Sequence, residues 1–194
     1  MNLQEQTERV TSMRKTFWLL AAGCLLATAA DAQTPQSYTG QEKREIKALS
    51  SAEIDALLNG HGMGLAKAAE LNHFPGPRHV LELASELQLT DKQKAETQKA
   101  FETMHSKATR IGKLVVAQER ELDTLFAEEK MDSAKLKRLT AQLAALQGEL
   151  RLAHLEAHLK MKKLLSKEQV AKYDELRGYL HGSSGRSHKH SQLQ

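Results

Sequence analysis

The chain has 194 residues and a net charge of +4, from 28 Lys or Arg and 24 Asp or Glu; 4% of residues are aromatic and one is cysteine. Charges of both signs are interspersed, which excludes the basic footprint of a nucleic-acid binder, and few rings are present to stack on bases. A single cysteine excludes a disulfide framework, and the length suits one domain.

The N-terminus reads as an export signal. Arg14 and Lys15 precede an apolar run from Phe17 to Ala30, and Ala30-Asp31-Ala32 forms a small-residue cleavage site before a polar stretch from Gln33. This three-part layout predicts a cleavable signal peptide over 1–32, in a chain destined for the periplasm, with translation starting at Met1 or Met13. An alternative is a lipid anchor on Cys24 within "LLAAGC", although the apolar run continues past it. No later segment reaches the length of a membrane span.

Residues 33–44 read as a linker, 45–180 as a single helical domain and 181–194, Gly/Ser-rich and polar, as a disordered tail. Within the domain no segment shows convincing period-2 alternation, so the fold class is all-α. Ser50 to Glu53 is a capping box with Leu49 and Ile54 as its hydrophobic staple, opening a short helix that ends at "NGHGMG". A second short helix, Leu65–Leu71, stops at the turn "NHFPGP", and a third covers Arg78–Leu87.

Two long helices follow, about 91–127 and 132–164. In the first, Met104, Ala108, Ile111, Val115, Gln118 and Leu122 alternate by three and four. In the second, Leu139, Leu143, Leu146, Leu150, Ala153 and Ala157 do the same. The connection "EEKMD" is short, so the two seams predict an antiparallel hairpin that turns near Lys130 and pairs Leu122 with Leu139 at one end and Met104 with Ala157 at the other. A last helix runs from Lys167 to about Leu180. One seam leaves much of the hairpin uncovered, and a homodimer is expected to cover part of it. Gly112 and Gly148 each cost their helix about 1 kcal/mol against alanine. Each marks either a bend or close approach of another helix, or a tolerated surface glycine.

Two phrases repeat. Leu89-Thr90-Asp91-Lys92-Gln93 opens the hairpin and Leu165-Ser166-Lys167-Glu168-Gln169 opens the helix after it. Both are capping boxes, with Thr90 and Ser166 as N-caps and Gln93 and Gln169 three residues on. Their arrangement resembles the Spy/CpxP family of periplasmic proteins, whose hallmark is two Leu-Thr-x-x-Gln motifs, and the related heavy-metal-resistance proteins of the ZraP and CnrX type. The resemblance covers roughly Val80 to Leu180, with Ser166 standing for threonine in the second copy; "HGMGLAKAAELNHFPGP" has no counterpart in it. It implies a long helical hairpin, often a cradle-shaped dimer. It further implies an ATP-independent chaperone or envelope-stress adaptor that binds unfolded periplasmic proteins or a membrane sensor, without enzymatic activity. The alternative it carries is a metal-binding sensor or resistance protein.

Histidine supplies the only candidate chemistry. His154 and His158 stand at i and i+4, able to share a metal, and the hairpin register places His105 on the same flank. The expectation is a surface site for zinc or nickel at His105, His154 and His158, completed by Met161 or Glu102. Glu156 lies two residues past His154, not one, so the zincin metalloprotease pattern is absent. His61, Met63, His188 and His190 are weaker candidates, in segments too flexible to preorganise a site. No cofactor is required by any motif, and no nucleophile–base pair, phosphate loop or carboxylate pair points to an enzyme.

Overall fold

The computed structural model describes residues 38–179, so the signal peptide, the first part of the linker and the tail lie outside the described residues. Among the described residues, those from Gly40 to Tyr179 belong to one unit. After a 3-10 turn at Gln41–Lys43 come α1 (Ser51–Leu58), α2 (Lys67–Glu70), α3 (Pro77–Glu82), α4 (Asp91–Ala127), α5 (Ser133–Leu164) and α6 (Lys167–Leu176). Among the described residues there is no strand, and no helix is long and apolar enough to cross a membrane.

Local chemistry sets the helix limits. Ser50 Oγ accepts from the Glu53 amide while Glu53 Oε2 accepts from the Ser50 amide at 2.8 Å, closing the predicted box on α1. Pro77 occupies the first turn of α3, where its missing N–H leaves no bond unmade. Asp132 caps α5 by accepting from the Lys135 amide at 2.9 Å. α5 then ends where Leu165 and Ser166 turn extended. The second and third helices are shorter than their sequence patterns, because tight turns at Gly62–Ala66 and Leu83–Gln88 take over their ends.

α4 and α5 pack as the expected antiparallel hairpin. The ion pairs Arg138–Glu121 at 2.9 Å and Lys107–Glu156 at 3.5 Å cross it at heights that agree with the predicted register. Two cores lie along it. Ile46 and Leu57 join Ala108, Ile111, Val115, Leu143 and Leu150 in one. Val80, Leu87, Leu89, Ala100, Met161, Leu165, Val170 and Tyr173 form the other at the open end. Leu136, which would extend the seam by one step toward the loop, is exposed, since it stands in the first turn of α5 and nothing covers it. Gln118 is half-buried, as its place in the seam required.

Gly112 and Gly148 separate cleanly. A methyl group on Gly112 would stand 2.0 Å from the Leu57 carbonyl oxygen, so the backbone of α1 occupies the space its side chain would need. Above Gly148 nothing lies within 4 Å. Close approach of another helix holds for the first glycine only.

Candidate functional site

The two motif copies meet. Gln93 Nε2 donates to Gln169 Oε1 at 2.8 Å, and Gln169 Nε2 donates back to Gln93 Oε1 at 3.1 Å. Each amide also donates to a backbone carbonyl on the other side, Gln93 to Leu164 and Gln169 to Leu87. Each side-chain oxygen accepts from its own N-cap amide, Thr90 at 3.1 Å and Ser166 at 2.9 Å. The boxes therefore do more than start helices. A glutamate would serve a capping box equally well, as Glu53 does for α1; only a glutamine can cap with its oxygen and cross-link with its nitrogen. Leu89 and Leu165, the leading residues of the two motifs, are buried in the core beneath this clasp.

The unmapped segment between α1 and α3 forms a cap over the histidines. His154 and His158 are buried, which corrects the expectation of an exposed flank, because the glycine-containing turns of that segment lie against their rings. A methyl on Gly76 would stand 2.9 Å from the His158 ring, and one on Gly62 3.8 Å from the His154 ring. His158 Nδ1 lies 2.7 Å from the Phe74 carbonyl, so Nδ1 carries a proton and donates it to that oxygen. His154 Nε2 is buried without a partner, and burial, with the neighbouring His158 second, holds its pKa below the ordinary imidazole range.

His105 does not join them. It is exposed and its ring stacks on Phe101, with centroids 5.6 Å apart. The chain around Gly60–Gly62 runs between the two helices here: Gly60 abuts the His105 carbonyl and Thr109, and Gly62 abuts His154. The expected three-histidine surface site is therefore not assembled. Among the described residues no three His, Cys, Asp or Glu side chains are placed to hold a metal. Glu102 is exposed, and Met161 is buried in the core at the open end instead of completing a site.

Beside the histidines sits a cluster that the sequence did not reveal. Glu70 Oε1 accepts from the Tyr173 and Tyr179 hydroxyls and faces Arg177 Nε at 3.5 Å; its Oε2 lies 3.6 Å from His158 Nδ1. Burial, then the hydrogen bond to the Glu70 carboxylate, pushes the Tyr173 phenol far up, so it stays a neutral donor. His73 adds a 2.8 Å contact to the buried Asp174. Glu70, Met63, Met104, His154 and His158 border a cleft of about 420 Å³. Glu70 stands in an unremarkable stretch, and no local signal marked it as half-buried.

A second, more apolar cleft of about 530 Å³ opens between α1 and α5, walled by Leu49, Leu57, Leu65, Val115 and Leu150 and rimmed by Glu119 and Arg151. Burial raises the Glu119 pKa, so folding disfavours its charged form. The stability that follows is complete below the unfolded carboxylate range and is lost as pH rises through the folded value. Glu119→Gln should therefore melt above the parent at pH 7, with the gap closing by about pH 4; thermal melts at both pH values check this.

Neither a curated protein nor a solved structure matches the chain. A family model described as the LTXXQ motif family protein matches residues 77–177, from the start of α3 to the cap of α6. That span contains both motif copies and the whole clasp, and it leaves out α1, α2 and most of the histidine cap. The chain belongs to the LTXXQ motif family, the family of Spy/CpxP-like periplasmic proteins.

Proposed function

We propose that the protein is a periplasmic, non-enzymatic chaperone or envelope-stress adaptor that holds unfolded or partner proteins on its helical surface without ATP. The family match over 77–177 carries this reading. The surface supports it: Leu114, Phe126, Leu136, Leu152 and Leu159 are between 41% and 55% exposed, set among charged side chains. Scattered apolar contacts within a charged face suit weak, reversible holding of an unfolded chain, whose own ordering cost keeps affinity modest. The test is aggregation of a chemically unfolded client on dilution, with and without the protein and with no ATP. Suppression at near-equimolar ratio is expected, and unchanged light scattering would overturn the reading.

A second reading, binding of a zinc- or nickel-type ion, is favoured by the His154 Nε2 buried without a partner, in a residue that borders the same cleft as His158. Backbone anchoring of Nδ1 is the arrangement that orients histidine ligands. Titration with zinc should show affinity reduced at least about tenfold, roughly 1.4 kcal/mol, in His154→Ala/His158→Ala, and unchanged in His105→Ala. Equal weak binding by parent and double variant would end this reading.

A further inference from the structure

Folding leaves the apolar cleft between α1 and α5 open. α1 packs on α4, where Leu57 sits directly over Gly112, but on the other side Gly148 of α5 has nothing within 4 Å. A wedge of about 530 Å³ remains there, with Gly148 in its floor and Leu49, Leu57, Leu65, Val115 and Leu150 around it. Small-molecule sites between helices have this size and character, mostly apolar with a few placed polar groups. A glycine inside α5 costs about 1 kcal/mol against alanine, and no neighbour requires it for packing. Its effect is to deepen the cleft. Leu49, Leu57, Met63 and Leu65 all precede residue 77, so the α1 side of the cleft is built by chain outside the family match.

The charged groups on the cleft decide what it can hold. Glu53 is already engaged, by the Ser50 amide at 2.8 Å and the Ser50 hydroxyl at 2.6 Å. Arg151 and Glu119 have no hydrogen-bond or ion-pair partner among the described residues. In the hairpin register Glu119 stands level with Gln142, nine residues before Arg151, which separates the two by roughly 13 Å along α5. One end of the apolar wall therefore carries a free guanidinium, and the other an acid whose charged form burial disfavours. A carboxylate head belongs at Arg151, where the guanidinium fork can take both oxygens, and an uncharged tail belongs beside Glu119. An ammonium head would have to sit at Glu119, with its tail against the unpaired Arg151. We propose that the cleft binds a free, single-chain fatty acid of medium length, its carboxylate on Arg151 and its chain along Gly148 toward Val115 and Leu49.

The space takes one chain, which excludes a two-chain phospholipid. Head and tail make separable contacts. Arg151 contributes a charge-assisted contact that only an anionic head can use, worth about tenfold or more in affinity. Gly148 contributes room, which every chain needs whatever its head. Neither contact depends on client binding or on a metal at the histidines.

Calorimetric titration of the full chain with decanoate, decanol and decyltrimethylammonium tests this, each probe kept below the concentration at which it aggregates and helicity checked by circular dichroism. Decanoate should bind one per chain, and decyltrimethylammonium more weakly by about tenfold or more. Arg151→Gln should weaken decanoate by a similar factor and leave decanol unchanged. Gly148→Leu, which fills the cleft from its floor and strikes nothing else, should stay folded and bind none of the three. A parent that binds no decanoate, or binds it no better than decyltrimethylammonium, overturns the proposal, as does a Gly148→Leu variant that binds decanoate like the parent. Loss of unfolded-client binding in Gly148→Leu, with no decanoate bound by the parent, would assign the cleft to clients and overturn it equally.

Discussion

Gly112→Ala should destabilise the fold by about 2–3 kcal/mol, the upper part of the range for overpacking a well-filled core. The sign is the informative part. In an isolated helix the same change stabilises by roughly 1 kcal/mol, because alanine loses less backbone freedom than glycine. Here the new methyl would meet the Leu57 carbonyl oxygen at 2.0 Å and its carbon at 2.7 Å, and neither belongs to a side chain that could swing aside. Relief requires lifting the end of α1, which carries Leu57 in the core with Ile111 and Val115. Gly148→Ala is the matched control: it removes the same helix penalty with nothing in the protomer to strike, and should stabilise by up to about 1 kcal/mol. Urea unfolding of the two variants beside the parent measures both effects, and two changes of equal sign would refute the contact.

Gln93→Ala and Gln169→Ala should each cost about 2–3 kcal/mol. Loss of the side-chain oxygen that accepts from the Thr90 or Ser166 amide accounts for about 1 kcal/mol, while the N-cap hydroxyl keeps its own bond to the backbone. The remainder comes from stranding the opposite amide and a backbone carbonyl, Leu164 in one case and Leu87 in the other, in a partly buried site. Glutamate separates the two roles. Gln93→Glu keeps an acceptor for the Thr90 amide but turns an oxygen toward Gln169 Oε1 and the Leu164 carbonyl, where no proton is available. It should be nearly as damaging as alanine. In Ser50-Ser-Ala-Glu53 the same exchange in reverse, Glu53→Gln, should cost well under 1 kcal/mol, because nothing beyond Ser50 depends on the N3 side chain. Equilibrium unfolding of the four variants reads this out, and a Gln93→Glu protein as stable as its parent would reduce the motif to a simple cap.

What the sequence showed follows from range. Capping boxes and the three–four seams are properties of neighbours, so Ser50, Thr90 and Ser166 were placed as caps and the hairpin ends came within a residue of Asp91–Ala127 and Ser133–Leu164. Contacts across 76 residues were not legible. Gln93 and Gln169 read as two separate helix starts, because nothing local says that the starts of α4 and α6 lie side by side. The histidine cap failed for the same reason. "HGMG" and "HFPGP" have no period to project, so the chain that buries His154 and His158 and separates them from His105 had no visible destination. Gly112 and Gly148 look alike in sequence and differ only in what a distant helix places above them.

The motif therefore has a mechanical meaning. It joins the start of α4, the end of α5 and the start of α6 at the open end of the hairpin, opposite the loop near Lys130. A rigid scaffold held there leaves the faces of α4 and α5 free to carry whatever partner the protein binds.

The most direct test of that account is a double-mutant cycle on Gln93→Ala and Gln169→Ala, with unfolding free energies measured in urea for all four proteins. Reciprocal donation between the two amides predicts strong coupling, with the double variant more stable than the sum of the single losses by at least about 1 kcal/mol. Losses that add to within about 0.5 kcal/mol would contradict it, leaving two independent caps where the structure shows one clasp.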